Sequence, residues 1–165
     1  MSLEEFLAQH GQAMLRLGVM LTGSTPDAED LLQSTLTRLW PQWDRVEGSR
    51  SPGAYAKRAL VNTFTSSRRR INREVPWLEG LDPADSRVPR GSDTDEAWEW
   101  LATLPPTQRA VLALRYYEDL SDAEIGEYLD CSTSTVRSNA ARALASLRTR
   151  FGDDHDPSRA EEVTR

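Results

Sequence analysis

Residues 121–151, SDAEIGEYLDCSTSTVRSNAARALASLRTRF, restrict the fold more than any other stretch of the chain. Ser121 opens it as an N-cap, and Glu124 completes a Ser-x-x-Glu capping box. Leu120 and Ile125 flank that start with the spacing of a hydrophobic staple. Ile125 and Leu129 share one helical face, and Asp130 stands where a left-handed residue would end the helix. The spacing predicts a second helix capped by Ser134, with Val136, Ala140, Ala143, Leu144, Leu147 and Phe151 facing inward. Its opposite face begins with Thr135, Arg137, Ser138, Ala141 and Arg142. A short capped helix, a tight turn and a second helix with small, polar and basic outer residues form the pattern of a DNA-reading helix-turn-helix. Cys131, in the turn, reads as a small core residue and not as a redox sensor.

A chain of 165 residues holds one ordinary domain or two small helical ones. No apolar run approaches the roughly 20 residues of a membrane span. The N-terminus lacks the basic start and apolar core of a signal peptide. A single cysteine excludes an internal disulfide framework, and His10 and His155 give no metal-ligand spacing. The expectation is a cytoplasmic protein without cofactor or metal. Its net charge of −6 is distributed unevenly. Residues 1–75 are net +2, 76–100 net −5, 101–150 neutral and 151–165 net −3. Phosphate neutralisation supplies most non-specific DNA affinity, so this chain alone should bind DNA weakly and need a partner.

Leu3, Phe6, Leu7, Met14, Leu17 and Leu21 follow helical spacing, with Gly23 as the C-terminal cap. Thr25 reads as the cap of a second helix, with Pro26 at its first position and Asp27, Glu29 and Asp30 in its first turns. Ala28, Leu32, Thr35 or Leu36, and Leu39 make its inward face. Pro41 should kink or end it near Trp40 and Trp43, and residues 44–50 read as a loop. Ser51-Pro52 starts a third helix running through YAKRALVNTFTSSRRR. Residues 74–93, with Pro76, Pro83 and Pro89, read as a flexible acidic linker. Ala97, Trp98, Leu101 and Leu104 then mark a helix, and Pro105-Pro106 separates it from the next. No strand alternation or repeat is present. The expected fold is all-α: two small helical domains, 1–73 and 94–151, joined by a flexible linker, with a polar tail at 152–165.

Three motifs in this order resemble bacterial extracytoplasmic-function sigma factors, the minimal two-domain specificity subunits of RNA polymerase. DAEDLLQ at 27–33 is similar to the family's polymerase-binding helix. YAKRALVN at 55–62, followed by Arg68, Arg69 and Arg70, is similar to its minus-ten promoter-reading helix. LPPTQR at 104–109, LRYY at 114–117 and the helix-turn-helix resemble its minus-thirty-five-reading domain. The resemblance covers the chain from Phe6 to about Phe151, and the joint occurrence of the motifs is what makes it specific.

The resemblance implies core polymerase and promoter DNA as partners, and it leaves an anti-sigma factor open as a third. Asp27, Asp30, Leu31, Gln33 and Leu36 would dock a coiled coil of the largest polymerase subunit. Their acids would equally complement the helix dipole. Asn62 matches the position that captures a base flipped from the non-template strand, where an amide offers both donor and acceptor. Lys57, Arg58, Arg68, Arg69 and Arg70 would track phosphates of the melted strand. Many relatives carry an acid where Ser66 stands here. Thr135, Arg137, Ser138, Ala141 and Arg142 match the outward face of the recognition helix. An arginine there can take a guanine edge, worth ~1–3 kcal/mol of discrimination, while Arg142 or Arg148 could hold phosphate instead. Thr133 and Ser134 replace a more usual valine and glycine.

Other classes fit the residues less well. A free-standing operator-binding regulator would need a dimer surface and more basic charge. An enzyme would need a nucleophile–base pair, a phosphate loop or paired carboxylates. An adaptor that ignores DNA would not need the Arg-rich third helix.

Overall fold

The computed structural model describes residues 1–74 and 99–152, with backbone only for 68–74. The expected linker lies almost wholly outside the described residues, as do the tail beyond Gly152 and the side chains of Arg68, Arg69 and Arg70. Among the described residues every regular element is helical.

Helix α1, Leu3–Thr22, starts at Ser2, whose hydroxyl accepts from the Glu5 N–H while the Glu5 carboxylate accepts from the Ser2 N–H. Gly23 ends it in the left-handed region at φ 85°, where a residue lacking Cβ meets no steric penalty. Helix α2, Thr25–Leu39, is capped by Ser24 and not by Thr25, which is its first helical residue. Ser24 prevails because its side chain reaches the Asp27 N–H at 3.2 Å. The proline at 41 ends α2 as expected, but the chain does not then become a loop. A 3-10 turn at Trp40–Gln42 leads into a short helix α3, Trp43–Glu47, held by the buried Val46. Helix α4, Pro52–Glu74, is the longest of the described elements.

Helical residues 99–102 open the second half. Helix α5, Pro106–Leu112, runs into one π-turn at Ala113–Tyr117. Helix α6, Asp122–Leu129, has the expected capping box between Ser121 and Glu124, and Asp130 ends it at φ 52°, ψ 52°. Helix α7, Thr133–Phe151, begins earlier than the spacing indicated. Ser132, not Ser134, is the cap, because its hydroxyl accepts from the Thr135 N–H at 3.2 Å. Val136, Ala140, Ala143 and Leu147 are buried, while Leu144 and Phe151 are half-buried at the rim. Cys131 is likewise only half-buried. Burial and the Asp130 charge push its thiol pKa up, which keeps it a poor nucleophile.

Helices α1, α2 and α4 pack around Phe6, Met14, Leu17, Leu21 and Leu60, and α5, α6 and α7 around Val111, Leu114, Ile125 and Val136. Each such side chain contributes about 1.5–3 kcal/mol on burial. The turn of the helix-turn-helix depends on Gly126: a Cβ there would stand 2.8 Å from the Cys131 carbonyl oxygen. Gly126→Ala should therefore cost about 1–3 kcal/mol despite alanine's better helix propensity, read as a lower denaturation midpoint. An unchanged midpoint would mean the turn yields without strain.

Candidate nucleic-acid and polymerase interface

Three surfaces carry the residues singled out by sequence. On α4 the buried row Ala56, Leu60, Val61 and Phe64 fixes the helix against the core. The other side therefore presents Arg58, Asn62, Thr65 and Ser66 within three turns, whereas Lys57, three and four residues before Leu60 and Val61, lies on the inward side and is half-buried. Arg58 and Ser66 are exposed, and Asn62 is half-buried. Among the described side chains this outward side pairs one cation, Arg58, with the amide of Asn62 on a rigid helix, groups suited to phosphate tracking and base capture.

The outer face of α7 is as expected: Thr135, Arg137, Ser138, Ala141 and Arg142 are all exposed. Arg137 does not stand alone. Its Nε donates to Asp122 Oδ2 at 3.4 Å, and Asp122 Oδ1 accepts from Nε of Arg115 at 3.1 Å and from its Nη2. Hydrogen bonding to Arg115, with a smaller contribution from Arg137, holds the Asp122 carboxyl pKa below its usual range against the effect of burial. Burial alone would lower the Arg115 pKa, but the Asp122 carboxylate outweighs it and raises the value. Asp122 thus ties the first helix of the motif to the second at Arg137. Sequence reading missed it, although its place one residue after the cap was visible.

On α2, Asp27, Asp30 and Gln33 are exposed and Leu36 is half-buried, so these four form a surface row. Leu31 does not belong to it. At 9 % exposure it joins Ala28, Thr35 and Leu39 in the core, because it sits three residues after Ala28 and four before Thr35. Asp27 has a local use as well, its Oδ2 accepting from the Ser24 hydroxyl at 2.8 Å. Trp40, just beyond the row, is 61 % exposed and extends it with an apolar surface. Trp43 instead packs edge-on against Phe6 and donates its indole N–H to the Met1 carbonyl at 3.1 Å.

Arg109, which sequence reading placed only within a motif, is 2 % exposed. Its guanidinium donates to the carbonyls of Leu101, Ala102 and Leu104, and across the two halves to that of Leu21 at 2.8 Å. Lys57 Nζ likewise crosses the halves to Glu118 Oε2, at 2.5 Å. The α4 face and the start of α7 border one cavity of about 410 Å³ lined by Asn62, Thr65, Ser66, Thr107, Cys131 and Thr135.

The family comparisons fall on these same elements. The model for sigma-70 region 2 matches residues 6–74, and that for sigma-70 region 4 matches residues 100–149. The chain is 36 % identical over 147 residues to the RNA polymerase sigma-E factor of Streptomyces coelicolor, covering 88 % of this chain and 83 % of that protein. It is 33 % identical over 159 residues to the ECF RNA polymerase sigma factor SigG of Mycobacterium tuberculosis, across 78 % of this chain and 43 % of that one. Among solved structures, the sigma factor RpoE of Bartonella quintana, in complex with the anti-sigma factor NepR, shares the fold. Its TM-score is 0.68 at 24 % identity, over 92 % of this chain and 98 % of that one. With both regions present in order, and relatives of this identity along most of its length, the chain belongs to the extracytoplasmic-function group of sigma-70 family RNA polymerase sigma factors.

Proposed function

We propose that this sigma factor divides its work among the three surfaces. The row Asp27, Asp30, Gln33 and Leu36 on α2 docks core RNA polymerase. Helix α4, with Asn62, Lys57 and Arg58, reads the minus-ten element and holds the melted strand, joined by Arg68, Arg69 and Arg70. The exposed face of α7 reads the minus-thirty-five element. The observation that carries this reading is the match of the region 2 and region 4 models to the helices that hold these residues, with Asp27, Asp30 and Gln33 on α2, Arg58 on α4 and the polar side of α7 exposed. Residues 1–73 and 94–151 are then the two working units, the intervening segment their tether, and the cytoplasm the place of action.

Nothing in this division asks the chain for covalent chemistry; binding and strand capture are its contribution, and catalysis is left to the polymerase. A reconstituted assay tests it: core polymerase with this protein should initiate at a cognate promoter where core alone does not. Tight, promoter-specific binding by the chain without polymerase, together with no initiation in its presence, would favour a free-standing repressor or activator. Arg137→Ala should relax the preference at one upstream base pair by about 1–3 kcal/mol, measured across a promoter library. Uniform weakening at every sequence would make Arg137 a phosphate contact instead.

A further inference from the structure

We infer that Asp122 is a positioning residue for promoter reading: anchored by Arg115, it orients the guanidinium of Arg137 and thereby sets base selectivity on α7. The inference rests on the reading of α7 as the helix that meets the minus-thirty-five element. It assigns part of that selectivity to a side chain on α6.

Three side chains from three elements make the relay. Arg115 belongs to the π-turn at Ala113–Tyr117, which the buried Ala113 and Leu114 hold against the core. Its Nε, at 3.1 Å, and its Nη2 both donate to Asp122 Oδ1, and the two side chains are only 23 % and 22 % exposed. Asp122 is the first residue of α6, directly after the Ser121 cap, so its backbone is fixed as well. The second carboxylate oxygen is thereby aimed at α7, where Oδ2 accepts from Arg137 Nε at 3.4 Å. An acid at a helix start complements the dipole whatever its rotamer. Here a grip by two nitrogens selects the rotamer that reaches the reading face.

The chemistry of the guanidinium gives this contact a use. Arg137 is 69 % exposed, and an ion pair so open to water adds little to stability. At 3.4 Å the contact steers more than it binds. Nε is occupied, and the two Nη nitrogens, which make no hydrogen bond among the described residues, form the edge left for a ligand. Two parallel N–H groups match the O6 and N7 acceptors of guanine. A long side chain already held by one donor loses less freedom when it takes up that pair. The carboxylate also acts against the wrong ligand. A phosphate oxygen brings negative charge beside Asp122 and is repelled, whereas guanine O6 and N7 carry no formal charge. Asp122 thus withholds Arg137 from sequence-independent phosphate contact and reserves it for a base edge.

Holoenzymes reconstituted with wild type, Arg137→Ala, Asp122→Asn and the double variant test this on one promoter library randomised in the upstream element. Preferences are ratios within one holoenzyme, so a partial loss of folded protein cancels. Arg137→Ala should lower the preference at one base pair roughly tenfold, which marks the pair that Arg137 reads. Asp122→Asn, nearly isosteric, should lower the preference at that same pair about three- to tenfold and change nothing further in the Arg137→Ala background. Its occupancy of non-cognate sequences should rise about twofold at low salt, where the lost repulsion counts most. If Asp122→Asn leaves the marked preference intact, or weakens every sequence alike, the positioning role is overturned and Asp122 only supports the start of α6. Relaxation at a different pair, or one that persists in full without Arg137, overturns it too, by making Asp122 a direct contact. Uniform loss of affinity in Arg137→Ala instead refutes base reading by Arg137 itself, and the inference falls with it.

Discussion

Arg109→Ala should destabilise the chain by about 3–5 kcal/mol, a large share of the roughly 5–15 kcal/mol that holds such a protein folded. The guanidinium sits at 2 % exposure, and the carbonyls it satisfies cluster at the C-terminal ends of α1 and of the helical turn 99–102. Helix C-termini leave carbonyls without intrahelical donors and carry partial negative charge, so a cation is favoured there. The ring of Phe64 lies 6.0 Å from the guanidinium carbon, which adds a cation–π contribution from α4. Alanine removes every donor at once, and each buried carbonyl left unpaired costs about 1–3 kcal/mol. Lysine keeps the charge but offers one compact ammonium in place of a planar fork, so Arg109→Lys should recover only part of the loss. Urea denaturation of the three proteins decides the matter. A loss below about 1 kcal/mol for alanine would mean that water enters and replaces the arginine.

The same residue shows where sequence legibility ended. The capping box of Ser121 and Glu124, the left-handed Asp130 and the inward row of α7 were readable because each is set by neighbours within a few positions. The alternative between Ser132 and Ser134 as cap was not, since both precede the periodic residues and only the reach to the Thr135 N–H separates them. Helix α3 was hidden by its length: five residues carry too little periodicity, and the proline at 41 argues for a stop. Leu31 was assigned to a docking surface through the family motif, whereas its own helical phase places it with Ala28 and Thr35. Arg109 bonding to Leu21, 88 positions away, leaves no local signal at all. The packing of one half on the other is a property of that kind, and with it the fate of Lys57.

Asn62→Ala should reduce promoter opening roughly ten- to a hundredfold while leaving polymerase docking and closed-complex formation nearly intact. The amide can donate to and accept from the Watson–Crick edge of an extruded base, and losing two such bonds is worth about 1–3 kcal/mol. Nothing else at the site should suffer. Asn62 is half-buried on a helix whose core contacts come from Leu60, Val61 and Phe64, and alanine is the better helix former. The proposed docking row lies on α2, and the duplex-reading face on α7, so neither early step depends on this side chain. Asn62→Asp sharpens the comparison: it retains an acceptor, loses the donor and sets a negative charge against the strand, so it should open no better than alanine. Permanganate reactivity of unpaired thymines measures opening, and a filter or mobility assay on ice measures the closed complex. Parallel losses in both would remove Asn62 from base capture and make it a contact to duplex DNA. Relief of the opening defect by a premelted promoter would place its action at strand separation, the step at which a base must leave the stack.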